Sequence, residues 1–394
     1  MSLLPNQFDF EYAGSTLRFG RSSIERLGPV LDERELSRAL VVCGSHVGAN
    51  RALMDPLERS LGARHAGTFD ETTPEKLAET VYDGIDAVHE VGADVIIGVG
   101  GGSSLDTARQ MSAFDDDSRS LADFRAELEV DGQVVAPDPA DPLPVVIVPT
   151  TLVGADISKR GSVEVASASA SPTGQPVRTS GMITPSDVFY DPDLFATTPH
   201  SAMAGSAMNG LNKGIETLYA ADATPITDAT AMHGLGLFAD GLQRLERPDG
   251  LDHAIAGSIL VQFERRTSIL HAFGHGFSRR YDLQQGVAHA VVTPEVLRYV
   301  FERVDGRRNL IARALRMETT GLSSGKVADA VVSEITDLRD GLGLPSRLRE
   351  LDVVDWADLA TIAEFIIEDS PMNRAPVGLD ATTDDIETVL RRMW

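Results

Sequence analysis

The sequence predicts a chain in two parts: an α/β unit with a parallel sheet, then an all-α unit. Three observations carry that prediction. Short apolar runs of strand length alternate with helix-period segments through the first half. One of those runs ends directly in a glycine-rich turn. From about Pro199 to Trp394 there are long helical patterns and few strand candidates. Strand, helix, strand in this rhythm argues for a parallel sheet covered by helices. At 394 residues the chain is too long for one ordinary domain. The boundary is placed near Asp191–Pro192, giving units of residues 1–190 and 191–394.

The elements follow in order. The opening residues MSLLPNQFDFEYAG have no basic region and no long apolar stretch, so no signal peptide is expected. Ala39–Cys43 (ALVVC) is an apolar run that ends at Gly44, a strand and turn. Pro74–Glu90 carries apolar residues at helix spacing. Asp94–Val99 (DVIIGV) is a second strand, followed at once by glycines. Glu127–Pro144 is acidic and proline-rich and reads as an exposed loop. Leu143–Val148 (LPVVIV) is a third strand, ended by Pro149 and two threonines. The Ala-Ser tract from Ala166 to Ser171 is too short to count as low complexity. In the second half Ala202–Ala220, Pro225–Leu245, Leu251–Arg280, Gly286–Phe301 and Lys326–Leu342 read as helices.

Composition excludes several function classes. Basic residues number 35 against 59 acidic, a formal net charge of -24. A surface this negative repels phosphate backbones, so no nucleic-acid partner is expected. No apolar run reaches the roughly 18 residues of a membrane span, so no membrane role is expected. Cys43 is the only cysteine, which excludes a disulfide framework and a thiolate metal cluster and makes the cytoplasm the simplest location. Lysine is scarce: Lys76, Lys159, Lys213 and Lys326 are the only four. An acid-rich, lysine-poor chain suits molar salt, where the Debye length falls to about 3 Å, so a salt-adapted host is expected.

The strongest local signal is Gly98-Val-Gly-Gly-Gly-Ser-Ser-Leu-Asp106-Thr-Ala-Arg109, where a strand ends and a helix begins. Glycines there let backbone approach a pyrophosphate, and the free N–H groups of a helix start favour negative charge. Gly100, Gly101, Gly102 and Ser103 are therefore candidate phosphate-binding residues. Ser103 would cap the helix or donate to phosphate, and Asp106 sits on its first turn. The plain alternative is a tightly packed helix start with no ligand.

That segment resembles the nucleotide-binding motif of the iron-containing, or group III, alcohol dehydrogenase family, and further landmarks occur in order. Pro149-Thr150-Thr151-Leu-Val-Gly154-Ala-Asp156 resembles its PTT segment. Pro185 to Pro192 resembles the junction into its helical domain. Asn209-Gly-Leu-Asn-Lys213-Gly-Ile-Glu216 resembles its D-A-L-x-H-A-x-E helix, and His271 to His275 with Gln285-Gly286 its H-x-x-x-H and P-H-G segments. The match covers roughly residues 15 to 390. It implies a Rossmann-like dinucleotide-binding domain, a C-terminal helical domain as in dehydroquinate synthase, and a cleft holding cofactor and substrate. Thr150 and Thr151 fall among the implied cofactor-binding residues, and Arg178 falls near a cofactor-contacting lysine of relatives.

The resemblance also implies four metal-ligand positions: an aspartate, a histidine four residues on, and two histidines fourteen residues apart. Here they hold Asn209, Lys213, His271 and Gln285. Amides are weak ligands and an ammonium has no lone pair, so no tightly bound catalytic metal is expected. The departures resemble the maleylacetate reductase branch, described as working without metal. That branch carries an asparagine at the first position, a PTT segment of the shorter length of Pro149–Asp156, and a histidine segment similar to His271–Pro294.

Carbonyl reduction needs a hydride donor, polarisation of the carbonyl oxygen and a proton. Lys213 could supply the polarisation from a ligand position; its bland reading is a surface lysine paired with Glu216 or another carboxylate. His271 and His275, at i and i+4 on one helix, are candidate proton carriers. His289 is a weaker one; Arg279 and Arg280 could bind a substrate carboxylate, but arginines near a helix end are more often solvated or paired with acids. Gly44 stands where NAD-preferring relatives tend to place an aspartate, so NADP is tolerated beside NAD. The expected function is NAD(P)-dependent reduction of a small carbonyl or oxo-acid, or oxidation of the alcohol, by a homodimer or larger homo-oligomer. Two alternatives stay open: a metal-dependent alcohol dehydrogenase with altered ligands, and an inactive dinucleotide-binding sensor or scaffold.

Overall fold

The computed structural model describes residues 14–131, 134–167, 170–171 and 176–394. The segment read for a leader lies outside them, save its last residue, as do parts of the Ala-Ser tract and of the Glu127–Pro144 stretch.

Eight strands are described: β1 (Thr16–Phe19), β2 (Ala39–Val42), β3 (His65–Phe69), β4 (Val95–Gly100), β5 (Val145–Pro149), β6 (Val163–Ala166), β7 (Val177–Thr179) and β8 (Asp187–Tyr190). Six form one parallel sheet in the order β1-β8-β5-β4-β2-β3. The three apolar runs of the sequence are its central β2, β4 and β5, buried along their whole length. Burial on both faces is why they read as continuous apolar runs instead of alternating ones. One core cluster joins Val41, Val95, Ile97, Val99, Val146 and Val148 to Leu27, Leu53 and Leu57 of the covering helices. From β2 the chain steps outward to β3, then returns to β4 and runs the other way through β5. The reversal falls between β2 and β4, the position where open α/β sheets take ligands at the strands' C-terminal ends.

The chain divides into two compact units. One takes in Tyr12–Thr151 and Ala155–Thr198 and contains the sheet; the other takes in Leu152–Gly154 and Pro199–Trp394 and is helical. The helical unit includes His200–Tyr219, Pro225–Leu242, Pro248–Gln262, Ile269–Arg280, Gln285–Arg303 and Ser324–Gly341. Among the described residues no helix is long and apolar enough to cross a membrane.

Two expectations are corrected. Leu251–Arg280 is not one helix: it breaks after Gln262 and restarts at Ile269. Glu264 takes a left-handed φ of 54° in the break. The backbone there bonds to side chains of His200–Tyr219, Arg266 N to Thr217 Oγ1 at 2.9 Å and Ser268 N to the Glu216 carboxyl at 3.0 Å. These tertiary bonds replace intrahelical ones, and no local glycine or proline announces them. Glu127–Pro144 is also not wholly loop. Its first residues complete the helix Leu121–Asp131, which buries Phe124 and Leu128. Ser120 Oγ accepts from Asp123 N at 3.3 Å and Asp123 accepts from Ser120 N at 2.8 Å, a reciprocal pair that starts that helix.

Candidate functional site

In the sheet unit, β4 ends at Gly100 and the helix Gly102–Phe114 begins after Gly101, which has no side-chain cap. The first N–H groups of any helix lack intrahelical partners, so this start can receive an anion. Gly100 has a φ of 124°, which an L side chain rarely adopts, and its carbonyl accepts from Thr150 N at 3.0 Å. Thr151 lies against Gly101: a Cβ built there would be 3.4 Å from Thr151 Cγ2. Gly100, Gly101, Gly102, Ser103, Thr150 and Thr151 thus gather at the C-terminal ends of β4 and β5. Gly44 lies at the end of the neighbouring β2 and forms a backbone bridge with Glu71.

Two other expected cofactor residues, Asp106 and Arg178, are paired within the sheet unit. Ser103 does not cap its helix; its hydroxyl points to Pro74 O at 3.5 Å. Asp106 accepts from Lys76 Nζ at 2.8 Å and Arg109 at 3.3 Å. Arg178 lies on β7 and pairs with Glu164 of β6 at 3.4 Å.

In the helical unit, His200–Tyr219 buries nearly its whole circumference, so its polar residues meet other side chains rather than water. Asn209 Nδ2 donates to Gln285 Oε1 at 3.0 Å. Lys213 is only 5% exposed, and its ammonium donates to Val153 O at 2.7 Å and Gly154 O at 2.9 Å. Gly154, with a φ of 71°, turns the backbone so that successive carbonyls face this one cation. The surface pair of Lys213 with Glu216 is therefore corrected: both are buried, and the Glu216 carboxyl instead meets His271 Nδ1. It also accepts from Ser268 N and His271 N, each at 3.0 Å.

Several buried polar atoms here have no partner among the described residues: Asn209 Oδ1, Gln285 Nε2, His271 Nε2 and both ring nitrogens of His289. The His271 and His289 rings lie 4.8 Å apart, and His271 and His275 6.2 Å apart. Burial holds His271 well below the ordinary histidine range, and the charge of Lys213 adds to the effect. Burial pushes Glu216 up to about 8, against the backbone amides that lower it. His275 is 39% exposed; its Nδ1 meets Asp369 Oδ2 at 2.6 Å, and Asp369 also accepts from Arg279 at 2.7 Å. Arg280 pairs with Asp358 at 3.0 Å, so both arginines are paired with acids as expected. Sequence reasoning missed Asp369, and it quoted Glu216 without its true partner; each lies dozens of residues from the histidine it holds.

The four family ligand positions do not fit a metal. One is an ammonium spent on two carbonyls, two are amides bonded to each other, and only His271 offers a usable nitrogen. Among the described residues no group of three or more His, Cys, Asp and Glu could hold an ion. The start of Gly102–Phe114, without a side-chain cap, offers N–H groups that suit the pyrophosphate of a dinucleotide.

Comparison with known proteins identifies the family. The family "Iron-containing alcohol dehydrogenase" matches residues 14–175, and "Fe-containing alcohol dehydrogenase family, C-terminal" matches residues 203–394. NAD-dependent methanol dehydrogenase of Bacillus methanolicus is 25% identical, over 94% of this chain and 96% of its own length. Maleylacetate reductase 1 of Cupriavidus pinatubonensis is 24% identical, over 98% of this chain and 96% of its own. The crystal structure of a 1,3-propanediol oxidoreductase shares the fold, with a TM-score of 0.86, 24% identity, and coverage of 98% of this chain and 100% of that one. With both halves matched in order on the predicted two-part fold, the chain belongs to the iron-containing alcohol dehydrogenase family.

Proposed function

We propose that this chain is an NAD(P)-dependent oxidoreductase that interconverts a small carbonyl compound or oxo-acid with its alcohol and needs no catalytic metal. The observation that carries this reading is Lys213: a buried cation at a family ligand position, beside polar atoms that have no partner. Gly100, Gly101, Gly102, Ser103 and Thr151 would hold the pyrophosphate of the cofactor, which supplies or accepts the hydride. Lys213 would give a charged hydrogen bond to the oxygen as it becomes an alkoxide, the work a metal does as a Lewis acid. His271 or His275 would hand that oxygen a proton. His275 is the half-exposed one, and so would exchange protons with water.

Elemental analysis tests the metal-free reading. Protein purified without chelator is expected to hold well under one equivalent of iron, zinc or nickel, and chelator should leave turnover unchanged. One equivalent of metal would make the dehydrogenase with altered ligands the better account. Cofactor choice follows from Gly44: with no carboxylate at the end of β2, NADPH should bind at least as well as NADH. A preference for NADH above about tenfold, or 1.4 kcal/mol, would mean that Glu71, bridged to Gly44, repels the 2′-phosphate instead.

A further inference from the structure

We infer that Glu216 is a positioning residue for this reaction, fixing His271 so that Nε2 is the ring atom left to meet the substrate oxygen. The inference rests on the proposed reading of the cluster as the place where the carbonyl is reduced. Glu216 lies in the middle of the buried face of His200–Tyr219 and is itself fully buried. One carboxyl oxygen accepts from Ser268 N and His271 N, the amides that open the helix Ile269–Arg280. Ser268, the N-cap, makes no side-chain cap of its own, so Glu216 does that work from another helix. The second oxygen closes on His271 Nδ1. The same side chain therefore sets both the backbone position and the ring rotation of His271.

The consequence is chemical. With Nδ1 occupied, the partnerless Nε2 is the free ring nitrogen; Asn209 and Gln285 of the same unit also carry buried atoms without partners. In reduction, Nε2–H gives a hydrogen bond to the substrate oxygen while the hydride reaches the carbonyl carbon from the reduced nicotinamide, and a proton drawn from solvent through the half-exposed His275 completes the alcohol. A ring free to turn would lose that alignment.

Two conservative variants separate position from charge. Glu216→Gln keeps the side-chain length, an acceptor for the two amides and a polar group against Nδ1. Glu216→Asp keeps the carboxylate but withdraws it by one methylene. Positioning predicts that Gln retains kcat within about threefold. It predicts that Asp loses kcat on the order of a hundredfold, the effect of a misplacement near 1 Å, with the KM for NADPH unchanged. The reverse order, Gln inactive and Asp active, would overturn the inference in favour of a charge or proton role. Full kcat per folded molecule in both would overturn it in favour of a plain helix cap. Histidine 15N spectra give a readout besides turnover: the His271 Nδ1 signal should shift on Glu216→Asp, and an unchanged signal would overturn the contact. Lys213→Met, run alongside, separates the two claims. If it keeps full turnover, the role of Lys213 fails and that of Glu216 is decided by its own two variants. If it is inactive while Glu216→Asp is active, only the role of Glu216 fails.

Discussion

Lys213→Met is expected to lower turnover by about a hundredfold or more, the usual worth of one donor to a developing oxyanion, with NADPH affinity nearly unchanged. The charge of Lys213 matters most when negative charge forms on the substrate oxygen, so its loss falls on kcat. The substitution also strips a donor from Val153 O and Gly154 O. That should cost about 1–3 kcal/mol of stability, because a buried acceptor left without a donor is penalised. Turnover must therefore be measured per folded molecule, with the melting temperature followed in parallel. If the ammonium only ties Leu152–Gly154 to its helix, the melting temperature falls and kcat stays. Full turnover in Lys213→Met would end the proposal and leave His271 or His275 as the groups to test. Lys213→His alone should not bring metal-dependent activity, because Asn209 and Gln285 remain poor ligands. The triple variant combining Asn209→Asp, Lys213→His and Gln285→His should let iron or zinc bind, which elemental analysis would detect directly.

The parts of this arrangement that the sequence revealed are those written locally. Strands β2, β4 and β5 are legible because both faces are buried and every residue is apolar or glycine, apart from the proline that ends β5. Strands β1, β3 and β8 are not. Thr16–Phe19 is an edge strand with a charged residue in it, and Asp187 opens β8 with a buried carboxylate held by Arg18 and Arg34 at 2.8 and 2.7 Å. A buried acid reads as a loop residue until its distant partners are known. The break before Ile269 is hidden for the same reason, since side chains of another helix make it. The candidate site divides along this line too. The glycine turn is contiguous and could be read directly, and the substituted ligand positions could be read by spacing. The partners that orient His271 and His275 could not, because Glu216 and Asp369 meet them only through the packing of separate helices.

Gly101→Asp is expected to abolish dinucleotide binding and leave the fold intact. Gly101 is the N-cap of Gly102–Phe114, with φ −84° and ψ 174°, an extended conformation open to any residue. A Cβ there meets nothing closer than Thr151 Cγ2 at 3.4 Å, an ordinary contact. Aspartate is also among the preferred N-cap residues, so the helix should gain roughly a few tenths of a kcal/mol from it. The gain is the reason binding fails. The new carboxylate would accept from the same N–H groups that a pyrophosphate needs, and it would place a negative charge where the phosphate charge must lie. Most substitutions that destroy a site also weaken the protein; this one separates the two, with an unchanged or raised melting temperature and no detectable heat of NADPH or NADH binding. Gly101→Ala adds bulk without charge, so it should keep much of the affinity. If calorimetry finds Gly101→Asp binding NADPH as tightly as the unsubstituted protein, the cofactor does not sit on this turn, and the open backbone at Gly100–Gly102 serves only to start a helix.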